Sequence, residues 1–416
     1  MKLAPVRTKS ESVLSIPILA LSIYIVFTFF PAAYTFVPSL GEIRIVLISG
    51  AVLLIGYILT AGKYKNIDAW KNSTVIAMLG YFSAIMLSIF VSYDRGSTLQ
   101  IIEANIKYLC VMLVMVKIID SEKREDLILA IFTICGIGMS VITIVNYGIY
   151  GNTLVQGEIV SNRAIALERG LFGDPNDLAM LLNVTLPFTL YYCLTAKYKI
   201  FSILGIIVTV CAVMLTYSRG GFLGLCAVTI GFLMLKGDKR GRYIILIVIA
   251  VALFWSLAPD SYMNRIMSIT KEARVDENTG EYPGRLQAWI ELLPAGMKNP
   301  ILGVGAGCSH YVAGREIGDW HSMHNSFLQV FLETGLIGFI FYACVFLSQY
   351  KQYRHFKRKY SNVFNINIER FKFTLLSLLA VAVTAFFLPQ AYSPILYFIS
   401  GVSVINAELC NLPTKQ

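Results

Sequence analysis

The sequence predicts an all-α, polytopic membrane protein with about twelve transmembrane helices, each needing about 20 apolar residues to cross ~30 Å of hydrocarbon. Three observations predict it. Of 416 residues, 56% are hydrophobic and only 14% charged, too apolar a balance for a chain that must present a solvated charged surface. Apolar runs recur along almost the whole length, so one transmembrane domain over residues 1–416 is the simplest division. Lysines and arginines gather in short segments between those runs. A formal charge of +10 distributed in this way anchors helices against an anionic leaflet, and no nucleic-acid partner is expected.

The spans are expected at 12–32, 42–60, 72–91, 100–119, 126–148, 175–195, 199–217, 220–236, 241–258, 325–349, 371–388 and 391–408. The first has a basic start but no small-residue cleavage site, so it reads as a retained helix. The run from Ile200 to Leu235 is broken only at Ser218-Arg219-Gly220-Gly221. As one helix it would be roughly 54 Å long, too long for a bilayer. Two spans joined by a tight turn at the glycine pair resolve this, and Arg219 then sits at the outer boundary.

With the N-terminus inside, the inner segments hold 23 of the 35 Lys and Arg residues. Lys236, Lys239, Arg240 and Arg242 carry much of that bias, with Lys351, Arg354, Lys357, Arg358 and Lys359. Both termini are therefore expected in the cytoplasm. Two outward segments exceed simple turns, a medium one at 149–174 and a large loop at 259–324 inserted between the ninth and tenth spans. The large loop holds Trp289, Leu292 and Leu293 in an amphipathic stretch, then Gly303-Val304-Gly305-Ala306-Gly307. Short helices lying over the bundle are expected there. Eight cysteines without a CxxC pair read as small, reduced packing residues.

Candidate chemistry clusters on the outward side. Arg219 is costly at a membrane boundary; its planar fork suits phosphate oxygens, and snorkelling to headgroups or a structural ion pair explains its position equally well. Three of the four histidines, His310, His321 and His324, fall in the outer region before the tenth span. Acid–base or substrate-positioning work and an ordinary interfacial role both remain open for them. Zinc is disfavoured because the spacing matches no usual motif and a fourth ligand is not evident. Asn325, Gln329 and Glu333 recur at four-residue spacing and share a helix face, which predicts either a hydrated site below His324 or helix–helix glue. In Arg169–Asp177 the Asp-Pro-Asn sequence enters a helix, and Asp177 is a candidate cap or arginine partner. Arg265, Arg274 and Arg285 are further phosphate- or sugar-binding candidates, with Trp289 placed to contact a sugar or lipid. No Walker lysine motif, dinucleotide fingerprint, HExxH or GxSxG stands out, so no soluble nucleotide cofactor is indicated.

Arg169–Asp177, Tyr217-Ser218-Arg219-Gly220-Gly221-Phe222 and His324-Asn325-Ser326-Phe327-Leu328-Gln329 continuing to Glu333-Thr334-Gly335-Leu336-Ile337-Gly338 together resemble the O-antigen ligase and polymerase family of bacterial membrane glycosyltransferases. The resemblance covers residues 165–345 best; the first five spans agree mainly in topology. It implies a glycosyltransferase C-like architecture in the inner membrane. It further implies a polyprenyl-pyrophosphate-linked glycan donor, presented at the periplasmic face, and a hydroxyl acceptor on lipid A–core, another glycan or a protein. By resemblance Arg219 engages the pyrophosphate, Arg285 assists, and His324 activates the acceptor hydroxyl, with Asn325 or Glu333 orienting that histidine. Arg169, Asp177, Arg265 and His321 complete the expected substrate-binding set. The resemblance implies an inverting transfer without nucleotide or obligatory metal. O-antigen ligation to lipid A–core is the leading expectation; a Wzy-type polymerase, a protein O-oligosaccharyltransferase and a lipid-linked glycan transporter are the alternatives. A transporter would spread polar groups along a path through many spans, whereas here they gather near the outer boundary.

Overall fold

The computed structural model describes residues 13–37, 39–64, 69–150, 153–155, 158–161, 164, 174–195, 198–235, 241, 243–245, 248, 285–317, 323–360 and 365–411. Its long elements are α1 (Ile16–Phe29), α2 (Ile45–Thr60), α3 (Ser73–Leu87), α4 (Arg95–Ile118), α5 (Glu122–Tyr150), a two-stranded antiparallel hairpin of β1 (Thr153–Val155) and β2 (Glu158–Ser161), then α6 (Pro175–Leu194), α7 (Lys199–Leu215), α8 (Arg219–Leu235), α9 (Arg285–Gly296), α10 (Ser326–Lys359), α11 (Ile366–Ala385) and α12 (Pro394–Asn411). The fold is thus all-α apart from that short hairpin. A helix stands at each expected span except the ninth, 241–258, most of which lies outside the described residues.

Among the described residues, five helical segments are long and apolar enough to cross a membrane: Ile45–Lys63, Ser73–Val91, Glu122–Gly148, Pro175–Leu194 and Ser326–Lys359. That is fewer than the twelve expected. α1, α7 and α8 are apolar but shorter than a standard crossing. The exposure pattern is that of a protein solvated by lipid. Burial reaches only Ser49, Gly50 and Leu53 on α2, while Ile58 and Leu59 are 73% and 77% exposed. Likewise α7 turns Ile200, Phe201, Leu204 and Ile207 outward. Apolar faces of this extent need an apolar surrounding. At the other extreme, α12 is buried all round from Pro394 to Cys410, which places it in the middle of the bundle.

One end of the bundle is tied by charge. Arg370, at the start of α11, donates to Glu125 (2.9 Å), Asp126 (3.4 Å), the Glu122 carbonyl (3.2 Å) and the Tyr191 hydroxyl (3.1 Å). Glu125 is 1% exposed, so the guanidinium supplies the counter-charge that burial there demands. The same end of α5 holds Arg124 against Asp120 at 2.6 Å.

The segment that follows α9 inserts into the bundle through a broken helix. Within α10, Gly335 has φ 66° and ψ −166°, a conformation open to glycine, and the helical hydrogen-bond ladder stops there. The released carbonyls of Leu332 and Glu333 accept from Val304 N and Gly305 N, both at 3.0 Å, while Leu336 N donates to Pro300 O at 2.8 Å. Gly303 and Gly305 also carry positive φ, and Val304 O accepts from Tyr93 N. The glycine-rich stretch therefore runs between α10 and the end of α3 as an added backbone layer. Above it, Leu292, Val304, Cys308, Val312, Met323 and Leu332 form a second, small apolar core with Trp289 packed against it.

Candidate active site

The motif-bearing helix ends meet at one turn, residues 386–393, which joins α11 to α12. From α8, Gly220 lies so close that a Cβ would fall 2.9 Å from Phe387 Cβ. From α10, Ser326 Oγ donates to Leu388 O at 2.6 Å and accepts from Gln390 N at 2.9 Å. From α6, Asp177 is hydrogen-bonded by the Gln390 side chain. From α9, the Trp289 ring stands edge-on to Phe386, centroids 5.8 Å apart. Arg219 and His324 thus flank the same turn from two helices. Both are half-buried.

Each motif is held by specific bonds. Ahead of α8, Thr216 and Tyr217 make the turn, and Tyr217 takes φ 49°. The expectation that the glycine pair makes this turn is corrected: Gly220 and Gly221 lie in the first turn of α8 and serve close packing. A Cβ on Gly221 would sit 2.5 Å from Ala179 Cβ, so the absence of a side chain lets α8 touch α6. Ser218 Oγ accepts from Gly221 N (3.0 Å) and donates to Asn176 Oδ1 (2.8 Å), while Asn183 Nδ2 donates to Gly221 O (2.9 Å). Arg219 is in this way fixed against the entrance of α6. The cap of α6 is Asp174, whose Oδ1 accepts from Asn176 N at 2.7 Å, so Asp177 is not the cap.

His324 has φ 44°, a left-handed backbone that is uncommon for a residue with a β-carbon. Among the described residues, only Arg44, Tyr217 and His324 carry positive φ without being glycine. Two of the three therefore stand in the candidate motifs, each just before a helix, a concentration of strain typical of functional sites. Trp289 Nε1 donates to Met323 O at 2.7 Å, holding the residue before His324. Asn325 caps α10, accepting from Phe327 N (3.0 Å) and Leu328 N (3.1 Å). The bond from Trp289 takes its one N–H donor.

Glu333 is fully buried, and its oxygens accept from Gly307 N (2.8 Å), Ser309 N (3.1 Å), Gln329 Nε2 (3.3 Å) and Tyr392 Oη (2.6 Å). A carboxyl group can accept from several donors at once, and these four bonds satisfy its buried oxygens. These bonds pin the glycine-rich segment to α10. Glu333 and Gln329 do share one face, and together with Gly307, Ser309 and Tyr392 they line a cavity of about 300 Å³. The stripe at four-residue spacing is thus both glue and cavity wall.

Arg169, Arg265, Arg274 and His321 lie outside the described residues. Arg285 opens α9, and its side chain lies outside the description as well. Among the described residues no three His, Cys, Asp or Glu side chains cluster as metal ligands would. Sequence reasoning missed the parts played by Ser326, Gln390 and Tyr392. The polar Gln390-Ala391-Tyr392-Ser393 stretch between two apolar spans was the available signal.

Residues 204–343 match a family model described as O-antigen ligase. Over that stretch the chain is similar to O-antigen ligases. The matched stretch starts inside α7, takes in Arg219 and ends in α10 beyond His324, Glu333 and Gly335. Together with that similarity, the long apolar helices are those of a multi-pass membrane protein. No curated protein matches the chain.

Proposed function

We propose that the protein is a glycosyltransferase that moves a polyprenyl-pyrophosphate-linked glycan to a hydroxyl acceptor at the periplasmic face of the inner membrane, ligating O-antigen to lipid A–core. One observation carries the reading: a single stretch similar to O-antigen ligases contains both Arg219 and His324, and their helix ends flank the same turn. The reading takes the chain as one membrane domain of about twelve spans. Its termini are cytoplasmic, and the 259–324 segment lies outward between the ninth and tenth spans.

In this mechanism Arg219 neutralises the departing pyrophosphate, with Arg285, Arg169 and Arg265 as further anion- or sugar-binding groups. A preorganised guanidinium aimed at developing charge is worth more in a dehydrated site than in water. His324 accepts the proton of the acceptor hydroxyl as its oxygen attacks the anomeric carbon from the face opposite the pyrophosphate, inverting that centre. The C–O bond to pyrophosphate breaks, and the phosphate oxygens keep the electron pair, so no acid on the leaving side and no metal is required. Asn325 fixes the helix end beneath His324; Asp177 and His321 complete the substrate-binding set.

The test is transfer by purified full-length protein in detergent with EDTA, a polyprenyl-pyrophosphate glycan and lipid A–core. Glycan-modified lipid A–core with released polyprenyl pyrophosphate, lost in His324→Ala and Arg219→Ala, is the expected result. Longer lipid-linked glycan without modified core would make it a polymerase, and transfer only to protein would make it an oligosaccharyltransferase. Unimpaired transfer by both variants would overturn the mechanism.

A further inference from the structure

The cavity below His324 is built for something other than a phosphate. Its polar lining includes Gln329, Glu333, Gln390, Tyr392, Ser393 and His310. Among the described residues no lysine or arginine lines it, and the Glu333 carboxyl group offers an anion no counter-charge. Ile101 and Pro389 add apolar wall, the counterpart of the C–H faces of a pyranose ring. The volume, about 300 Å³, lies at the low end of small-molecule sites and holds about one ring. One atom is left waiting: Gln329 is 7% exposed, its Nε2 donates to Glu333, and its buried Oε1 has no hydrogen-bond partner among the described residues. A buried acceptor in a polar cavity calls for a donor from a ligand.

We infer that this cavity is a subsite for one neutral, hydroxyl-bearing sugar of the acceptor, whose ring hydroxyl donates to Gln329 Oε1. The assignment to the acceptor rests on the proposed transferase reading. Gln329 stands five residues beyond His324 on α10, roughly 7–8 Å along the helix, within reach of one sugar unit. Arg219 approaches the 386–393 turn from α8, where the donor pyrophosphate would sit.

The experiment uses full-length protein in nanodiscs and saturation-transfer NMR with methyl α-glucoside, methyl α-galactoside and methyl β-N-acetylglucosaminide as probes. At least one binds, Gln329→Leu weakens it about tenfold, as expected for one lost hydrogen bond, and inorganic pyrophosphate does not displace it. His310→Ala, at the exposed mouth, weakens the same probe and decides the matter if Gln329→Leu does not fold. Failure of every probe to bind, binding unaffected by the variants, or displacement by pyrophosphate overturns the subsite. In the transfer assay Gln329→Leu raises KM for the acceptor and leaves donor KM unchanged; the reverse pattern overturns the acceptor assignment. Sugar binding lost in the variant, in a protein that transfers no glycan, would sink the transferase reading and leave the sugar site standing.

Discussion

Replacing Glu333 by glutamine isolates what the buried carboxylate does. Each of its oxygens accepts a backbone N–H, Oε2 from Gly307 and Oε1 from Ser309. Whichever way the amide is placed, its NH₂ must face one of those donors. One charge-assisted bond is lost, about 1.5–3 kcal/mol, and one buried N–H is left unsatisfied, a further ~1–3 kcal/mol. The affected element is local, so the loss reads out as opening of the 303–309 segment rather than collapse of the bundle. A combined ~2.5–6 kcal/mol corresponds to faster exchange by roughly two to four orders of magnitude, at 1.4 kcal/mol per decade. Hydrogen–deuterium exchange of a peptide covering 303–309, with the α11–α12 peptides as internal reference, is the assay. Exchange within about threefold of wild type would refute the pinning role, because an error of that size is smaller than the cost of even one such bond. General acceleration over the reference peptides would show instead that the bundle depends on this carboxylate.

Three further outcomes follow from the geometry. Arg370→Ala leaves Glu125 buried without its counter-charge, so it should destabilise the protein by about 3–5 kcal/mol, and adding Glu125→Ala should recover part of the loss in thermal melts. Gly335→Ala should lower the yield of folded protein sharply, since φ is 66° and a Cβ would fall 2.3 Å from Ile301 backbone; Gly62→Ala, with nothing within 4 Å, is the control and should be neutral. Trp289→Phe keeps the ring and deletes the donor to Met323 O, and should reduce kcat about tenfold with donor KM unchanged; an unchanged kcat would show that His324 needs no such support.

The helices were legible because lipid enforces a simple code: apolar runs of sufficient length, bounded by cations, must be helices. That code reads positions along the chain but not which helix touches which. Arg370 shows the difference. In sequence it is one more basic residue between two apolar runs; in space it closes a clamp with Glu125 and Asp126, 245 and 244 residues away. Glu333 shows it again. Four-residue spacing put it on the face of Gln329, which holds, but its partners Gly307, Ser309 and Tyr392 come from two other segments. The break at Gly335 was equally hidden, because a glycine inside an apolar helix reads as tolerated until a second strand of backbone arrives to take its carbonyls.

Glycine, glutamate and the turn between the last two spans act as one device. Because α10 breaks at Gly335, the carbonyls of Leu332 and Glu333 are free to receive Val304 and Gly305. Because Glu333 is then beside the inserted segment, its carboxylate can hold Gly307 and Ser309. Tyr392 donates to the same carboxylate, so the 386–393 turn is tied to the inserted segment as well as to Ser326. The inserted segment, the helix that follows His324 and the turn beside Arg219 are therefore fixed to one another by buried hydrogen bonds. A soft contact among loops would let the two candidate groups drift. Transfer chemistry that needs a base and an anion-binding group held in register within about 0.5 Å is better served by this arrangement, and it is the reason to seek the effect of Glu333 in the inserted segment first and in the chemistry second.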